Sequence, residues 1–322
     1  MSPKEPVKII LGAHSVGDKT VRPGLAHWDD LKDVKLLLDT FYGRGHRYID
    51  TASSYLNSEE RLGQVGATSR FIIVTKVRSG APGSHEPAKV AASIKQSLED
   101  LKTSTVDTML LHSPDRQTPF EDTAKAMNEA FLKGQFKQWG LSNYTAAEVQ
   151  KFIDICQENG YVKPSVYEGH YNAIFRSGEE ELFPVLRKHG MSFLGYSPAA
   201  GGLFTGRAGT DPNSKRWDSG NIIGKSYTAW YDHPKIQASV APIIAAAEKH
   251  GISGHAAALR WTAFHSILDG AYGDGIIFGA TKIEQLQKTL DAIDAGPLPD
   301  DLVDAFSSLY STTEGPSIPY HF

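Results

Sequence analysis

Four side chains with acid–base chemistry sit at or just beyond the ends of short apolar runs. Asp50 closes the run 47–50, Tyr55 follows five residues later, Lys76 closes 71–76 and His112 closes 107–112. A lysine that ends a Val-Thr-Lys run and enters a narrow, partly apolar cavity needs a counter-ion, because an unpaired buried charge is costly. Asp50, on the neighbouring run, supplies one. An ammonium beside a phenol favours the phenolate, so Tyr55 is expected below the ordinary tyrosine pKa of about 10. A phenol tuned in this way can give a proton to a carbonyl oxygen. A neutral His112 can donate a hydrogen bond to the same oxygen and orient it. Taken singly, each residue has an ordinary structural reading, since an Asp–Lys pair can simply satisfy two buried charges. Four such groups on successive run ends point to an active site. His14 and His170 also fall near run ends, but no H-x-H pair accompanies them, and Lys and Tyr are poor neighbours for a divalent ion. No metal is expected.

The elements that must carry these residues can be read from hydrophobic pattern. Strand-like runs occur at 7–11, 47–50, 71–76, 107–112, 139–142, 165–168, 192–196 and 275–279. Several are continuously apolar, which suits parallel strands buried on both faces. Amphipathic helices lie between them. Val90, Ile94, Leu98 and Leu101 form one helical stripe. Thr145 with Glu148 has the pattern of a capping box, and 179–188 reads as a helix closed by Gly190. Alternation of this kind means βαβ units. Eight of them, with no G-x-G-x-x-G after an early strand, predict an α/β fold of the closed (β/α)8 type, a TIM barrel. Its active site belongs at the C-terminal face of the strands. No linker is visible, so residues 1–322 are taken as one domain. The stretch 199–234 is expected as a long loop over the barrel mouth, and 236–268 as two helices broken near 251–254.

Composition narrows the function classes. The 322 residues carry 33 Lys and Arg against 37 Asp and Glu, a formal charge of −4. That balance argues against a general nucleic-acid binder. Cys156 is the single cysteine, so no internal disulfide is possible; it is expected as a packed core thiol. No apolar stretch reaches the roughly 18 residues of a membrane span, and residues 1–7 lack a signal-type apolar region. The expectation is a cytoplasmic protein with a small-molecule partner rather than a nucleic acid or a membrane.

Around the four residues the chain resembles the aldo-keto reductase family. The resemblance rests on Asp50-Thr51-Ala52 with Tyr55, Val74-Thr75-Lys76-Val77, Leu110-Leu111-His112-Ser113-Pro114-Asp115 and Trp139-Gly140-Leu141-Ser142-Asn143-Tyr144. Gly195-Tyr196-Ser197-Pro198 and Ala200 to Gly206 extend it through nearly the whole chain. Val166 to Asn172 and the long segment after Gly206 resemble the aflatoxin-aldehyde reductase branch. The resemblance implies an NADP(H)-dependent oxidoreductase, with NAD(H) kept open, that reduces aldehydes or ketones. It implies that Asp50, Tyr55, Lys76 and His112 are catalytic, with Tyr55 the general acid. It places Ser142, Asn143 and Glu168 at the carboxamide and Tyr196 under the nicotinamide ring. Ser197, Gly206, Arg207, Gly279, Thr281, Lys282 and Gln285 fall along the rest of the cofactor. The helix that begins near Ile283 would offer its N-terminus to a phosphate. His14, Trp28 and Trp230 are candidates for the substrate pocket, as are Trp217 and Tyr231, although each aromatic can equally pack a loop on the barrel.

Some positions depart from the family pattern. Glu168 stands where relatives usually carry Gln; if ionised, it would favour the oxidised cofactor and alcohol oxidation. Thr281 and Thr289 replace residues that commonly touch the adenosine end, which loosens the cofactor preference. His14 and His170 are expected to make the pocket more polar. Competing readings are a dehydrogenase acting on a sugar or secondary metabolite, and a non-catalytic cofactor-binding regulatory subunit. A monomer and a homodimer are both compatible with the pattern.

Overall fold

A computed structural model describes residues 4–206 and 215–322. Eight parallel strands close into a barrel in chain order: β1 (Lys8–Gly12), β2 (Tyr48–Asp50), β3 (Ile72–Val77), β4 (Val106–Leu111), β5 (Phe136–Ser142), β6 (Val166–His170), β7 (Ser192–Tyr196) and β8 (Gly275–Phe278). β8 pairs back onto β1, so no edge is left open. Around them run α1 (Leu31–Gly43), α2 (Ser58–Gln64), α3 (Pro87–Asp100), α4 (Phe120–Leu132), α5 (Ala146–Asn159), α6 (Gly178–Lys188), α7 (Ile222–Tyr231), α8 (Pro234–Glu248), α9 (Gly254–Phe264), α10 (Ile283–Asp294) and α11 (Asp300–Thr312). This is the (β/α)8 barrel expected from the sequence. No helix among the described residues is long and apolar enough to cross a membrane.

Local sequence explains where the elements stop. Thr145 and Glu148 cap α5 reciprocally, as their spacing predicts. The α3 stripe of Val90, Ile94 and Leu98 is buried, with Leu101 just past its end. Gly190 follows α6 at φ +66°, the left-handed turn that glycine takes without strain. Cys156 is buried within α5, in the apolar layer between helices and strands.

Strand alternation then builds the site. Ile10, Val74, Leu110, Val166, Leu194 and Ile277 fill the barrel interior. Side chains two residues apart on a strand share a face. One step beyond the plug, therefore, Lys76, His112, Glu168 and Tyr196 face the same interior at the C-terminal mouth, and Asp50 follows Tyr48 there in the same way. The mouth of such a barrel is where working residues gather.

The segment 199–234 departs from expectation, because it contains a helix. Asn221 caps α7 by accepting from the backbone N–H groups of Ile223 and Gly224. Gly224, Ser226, Thr228 and three aromatics are weak helix formers, so composition hides it. Tertiary packing of Tyr227 and Tyr231 holds the helix in place.

Candidate active site

Lys76 is the fully buried centre of the site. Its ammonium donates to Asp50 Oδ2 and, at 2.9 Å, to the carbonyl of Thr51. Glu168 Oε2 lies 3.2 Å from the same nitrogen, in ion-pair contact but without a directed hydrogen bond. The Asp50 and Glu168 side chains are 3% and 4% exposed. Burial alone would lower the Lys76 pKa, but Asp50 and Glu168 outweigh it and hold the ammonium well above its ordinary value.

Tyr55 lies beside this cluster, with its ring centre 5.4 Å from Lys76 Nζ. Its acidity differs from the sequence expectation. Burial raises the phenol pKa, Lys76 opposes the rise, and the charges of Asp50 and Glu168 reinforce it, so the net shift is upward. The lysine fails to win because burial outweighs it and the two carboxyl groups offset its charge. His112 meets Tyr55 edge to face, with ring centres 5.7 Å apart. Burial, helped by Lys76, lowers the His112 pKa to about 3, which leaves the ring neutral. Its Nδ1 lies 3.1 Å from Ser54 Oγ. When Ser54 donates to it, the ring proton sits on Nε2.

His14 packs against Tyr55 from another side, with ring centres 4.9 Å apart. Arg22 holds His14 by donating to its carbonyl at 2.8 Å and to Nε2 at 2.6 Å. Burial first, and then Arg22 and Arg216, keep His14 neutral. Arg22 is itself buried and, among the described residues, has no carboxylate partner. Trp28 is also buried, and its indole N–H donates to the carbonyl of Ala280 at 2.7 Å. Ser15 Oγ donates to the same carbonyl, so the segments after β1 and β8 are fastened together.

A second group of residues surrounds Tyr196. Its hydroxyl donates to Asn143 Oδ1 at 2.9 Å, and Asn143 Nδ2 donates to Ser142 Oγ and to the carbonyl of His112. Asn143 and Ser197 both take left-handed backbone, at φ +67° and +57°. His170 stacks on Tyr196 with ring centres 5.1 Å apart, and on Phe175 at 4.0 Å. His170 is therefore enclosed in aromatic packing behind Tyr196, and burial lowers its pKa to about 3. Its Nε2 meets the Tyr231 hydroxyl at 2.8 Å, while Ser197 Oγ meets the Tyr227 hydroxyl at 2.6 Å. Trp230 tilts over His170, and Trp217 donates to the carbonyl of Gly201.

At the third edge, α10 begins after Lys282, an exposed N-cap residue with no side-chain cap. Gln285 accepts from the Thr281 backbone N–H at 2.8 Å and from its hydroxyl at 3.1 Å. Thr289 is buried on the inward face of α10. Gly279 follows β8 beside Gly12, and Gly206 ends its turn at φ +69°. Arg207 lies outside the described residues.

Sequence reading missed Arg22, Asn172 and Tyr227. Asn172 Nδ2 donates to the Tyr231 hydroxyl and to the carbonyl of Ser197. The spacing of Tyr227 and Tyr231 after the capping Asn221 is the one signal that could have found the helix and its contacts.

A closed parallel barrel that gathers a buried cation, two carboxyl groups, a phenol and a neutral imidazole at its C-terminal mouth has the architecture of a barrel enzyme. The chain belongs to the aldo/keto reductase family, whose pattern it matches over residues 8–311. It is 38% identical over 295 residues to an aldo-keto reductase of Pseudocercospora fijiensis, covering 88% of this chain and 99% of that protein. It is 35% identical over 323 residues to the Homo sapiens aflatoxin B1 aldehyde reductase member 2, covering 96% and 88%. It is 35% identical over 297 residues to the oxidoreductase sirO of Leptosphaeria maculans, covering 91% and 87%. Membership places the chain among oxidoreductases that use a nicotinamide cofactor.

Proposed function

We propose that the protein reduces aldehydes or ketones to alcohols with NADP(H), and that Tyr55 delivers the proton. The observation that carries this reading is the Lys76 ammonium, buried between Asp50 and Glu168 and set beside Tyr55, with neutral His112 edge-on to the same phenol.

The residues present fit a nicotinamide nucleotide. Tyr196 has His170 against one ring face, which holds it as a platform for a planar ring. Glu168 Oε2 is a buried acceptor without a hydrogen-bond donor, suited to a carboxamide N–H. Ser142 and Asn143 would share that carboxamide. The uncapped start of α10, with Lys282, suits a phosphate. Arg22 and Arg216, neither paired with a carboxylate among the described residues, favour an anionic ligand near the mouth.

When bound, the cofactor supplies the hydride. The protein's own residues do the rest. His112 donates from Nε2 to the substrate carbonyl oxygen and fixes its position. Tyr55, whose raised pKa keeps it protonated in the resting site, releases its proton only to an oxygen that is gaining negative charge. Lys76 stabilises the phenolate that remains, and Asp50 holds Lys76 in place. Aromatic side chains from α7, with Trp230 foremost, and His14 would form the pocket wall.

The test is the absorbance of NADPH with a panel of aldehydes, comparing wild type with Tyr55→Phe. Wild type should turn over, and the variant should lose about 10²- to 10⁴-fold in kcat, the usual weight of a general acid. A wild type that oxidises no NADPH across the panel sinks the reading.

A further inference from the structure

Lys76 carries one positive charge and faces two carboxyl groups, Asp50 from β2 and Glu168 from β6, in a space closed to solvent. The two carboxyl groups approach one ammonium from opposite strands, and each acts electrostatically on the other. Two carboxylates sharing one buried cation repel each other, and a proton on one of them removes that repulsion. Charge balance asks for the same thing. With both ionised, the cluster holds an uncompensated negative charge out of water, and with one protonated it is neutral. Asp50 makes the directed hydrogen bond to Lys76, while Glu168 Oε2 makes only the looser 3.2 Å contact. The proton therefore belongs on Glu168.

The geometry points to Glu168 as a second proton-carrying group of the site, whose ionisation shifts the preference from the reduced cofactor towards the cationic oxidised one. This rests on the nicotinamide reading above. Glu168 faces the barrel interior where its charge acts on both Tyr55 and Tyr196. Burial, reinforced by Asp50 and opposed by Lys76, raises its pKa well above the ordinary glutamate value. In its protonated form it is a neutral acid that can accept and donate like a carboxamide. The sequence expectation that an ionised glutamate favours the oxidised cofactor then applies to the deprotonated form alone.

The groups facing Glu168 leave it the one free to titrate as pH rises past neutrality. Lys76 and Tyr55 are both held above their ordinary values, and Tyr196 is raised by burial. Asp50 is engaged by Lys76, and Ser142, its register partner on β5, does not ionise. His112, and His170 two residues beyond Glu168 on β6, are neutral above about 3. Glu59 titrates at about 7 and reaches Lys76, but it is bonded to Thr75 and Ser97 behind β3.

The experiment measures dissociation constants of NADP⁺ and NADPH by fluorescence titration from about pH 6 to 10, the range in which buried glutamates ionise. The 2′-phosphate is common to both forms and cancels in the ratio. In wild type the ratio of oxidised to reduced constants should fall by at least about fivefold across the range, a typical coupling between two bound species. In Glu168→Gln, which keeps the volume and cannot ionise, it should stay flat. A flat wild-type ratio, or an equal slope in the variant, overturns the inference. An infrared difference spectrum of the ligand-free proteins at neutral pH gives an independent arm. The wild type should show a carboxylic-acid C=O band that Glu168→Gln lacks, and the absence of that band overturns the inference whether or not cofactor binds. If neither cofactor form binds at any pH, the carbonyl-reductase reading fails, and the infrared band still decides where the proton sits.

Discussion

At the scale of single residues, the site separates two roles that the sequence pattern suggests together. Tyr55 keeps its proton because burial and two carboxyl groups outweigh Lys76. His112 loses its proton because burial and Lys76 act in the same direction. A His112 pKa lowered to about 3 leaves the ring neutral at every pH above that, so the imidazole is a hydrogen-bond donor and not an acid. The profile of kcat/KM for carbonyl reduction should therefore show no ionisation near the ordinary histidine value of about 6.5. His112→Gln should lower kcat by about 10²-fold, the cost of losing one aimed donor, without changing the shape of the profile between about pH 5 and 8. A limb near 6.5 that vanishes in the variant would mean that the ring titrates after all. The positions of these groups were legible in the sequence, because Asp50, Lys76 and His112 follow inward-facing residues at a period of two. The direction of the Tyr55 shift was not, since it depends on how much solvent the folded mouth excludes and on Glu168 arriving from the far side of the barrel.

At the scale of elements, the back of β3 is tied to its helices by another buried carboxyl group. Glu59 of α2 accepts from Thr75 Oγ1 on β3 at 2.5 Å and from Ser97 Oγ on α3 at 3.1 Å. Burial raises its pKa to about 7, against the lowering effect of those two bonds. The folded form thus holds the proton more tightly than the unfolded chain. The stabilisation is complete below the unfolded value of about 4.3 and is lost as pH rises through 7. Urea unfolding of wild type and Glu59→Gln at several pH values checks this. Wild type should lose about 3 kcal/mol relative to the variant between about pH 4 and 8. Parallel pH curves would show that Glu59 is not the group responsible. The elements themselves were largely readable. All eight strands fall where the strand-like runs place them, within a few residues at their ends, and the Thr145 box and the α3 stripe are local signals. The helix α7 was missed despite the Asn221 cap, because much of its support comes from Tyr227 and Tyr231 meeting Ser197 and His170, residues far away in sequence.

At the scale of the whole molecule, the barrel wall and the mouth are packed by different rules, and two glycines separate them. Gly140 lies on β5, where an added Cβ would stand 1.9 Å from the carbonyl oxygen of Val166 and 2.9 Å from Leu110. The first of these is backbone of the neighbouring strand and cannot yield without parting β5 from β6. Gly201 lies at the mouth with φ +61°, and an added Cβ would stand 2.1 Å from the Tyr227 ring. A side chain on a helix can swing where a strand cannot, and the left-handed backbone adds about 1 kcal/mol of strain. Gly140→Ala should therefore destabilise the fold by about 3 kcal/mol, the upper part of the overpacking range, and lower the melting temperature accordingly. Gly201→Ala should melt within a few degrees of wild type. By displacing Tyr227 from Ser197, and with it the Tyr231–His170 support behind Tyr196, it should weaken cofactor binding by about tenfold through lost preorganisation. Thermal unfolding and cofactor titration on the same two variants distinguish the cases. If Gly201→Ala melted as low as Gly140→Ala, α7 would belong to the barrel's folding core rather than to an adjustable wall around its mouth.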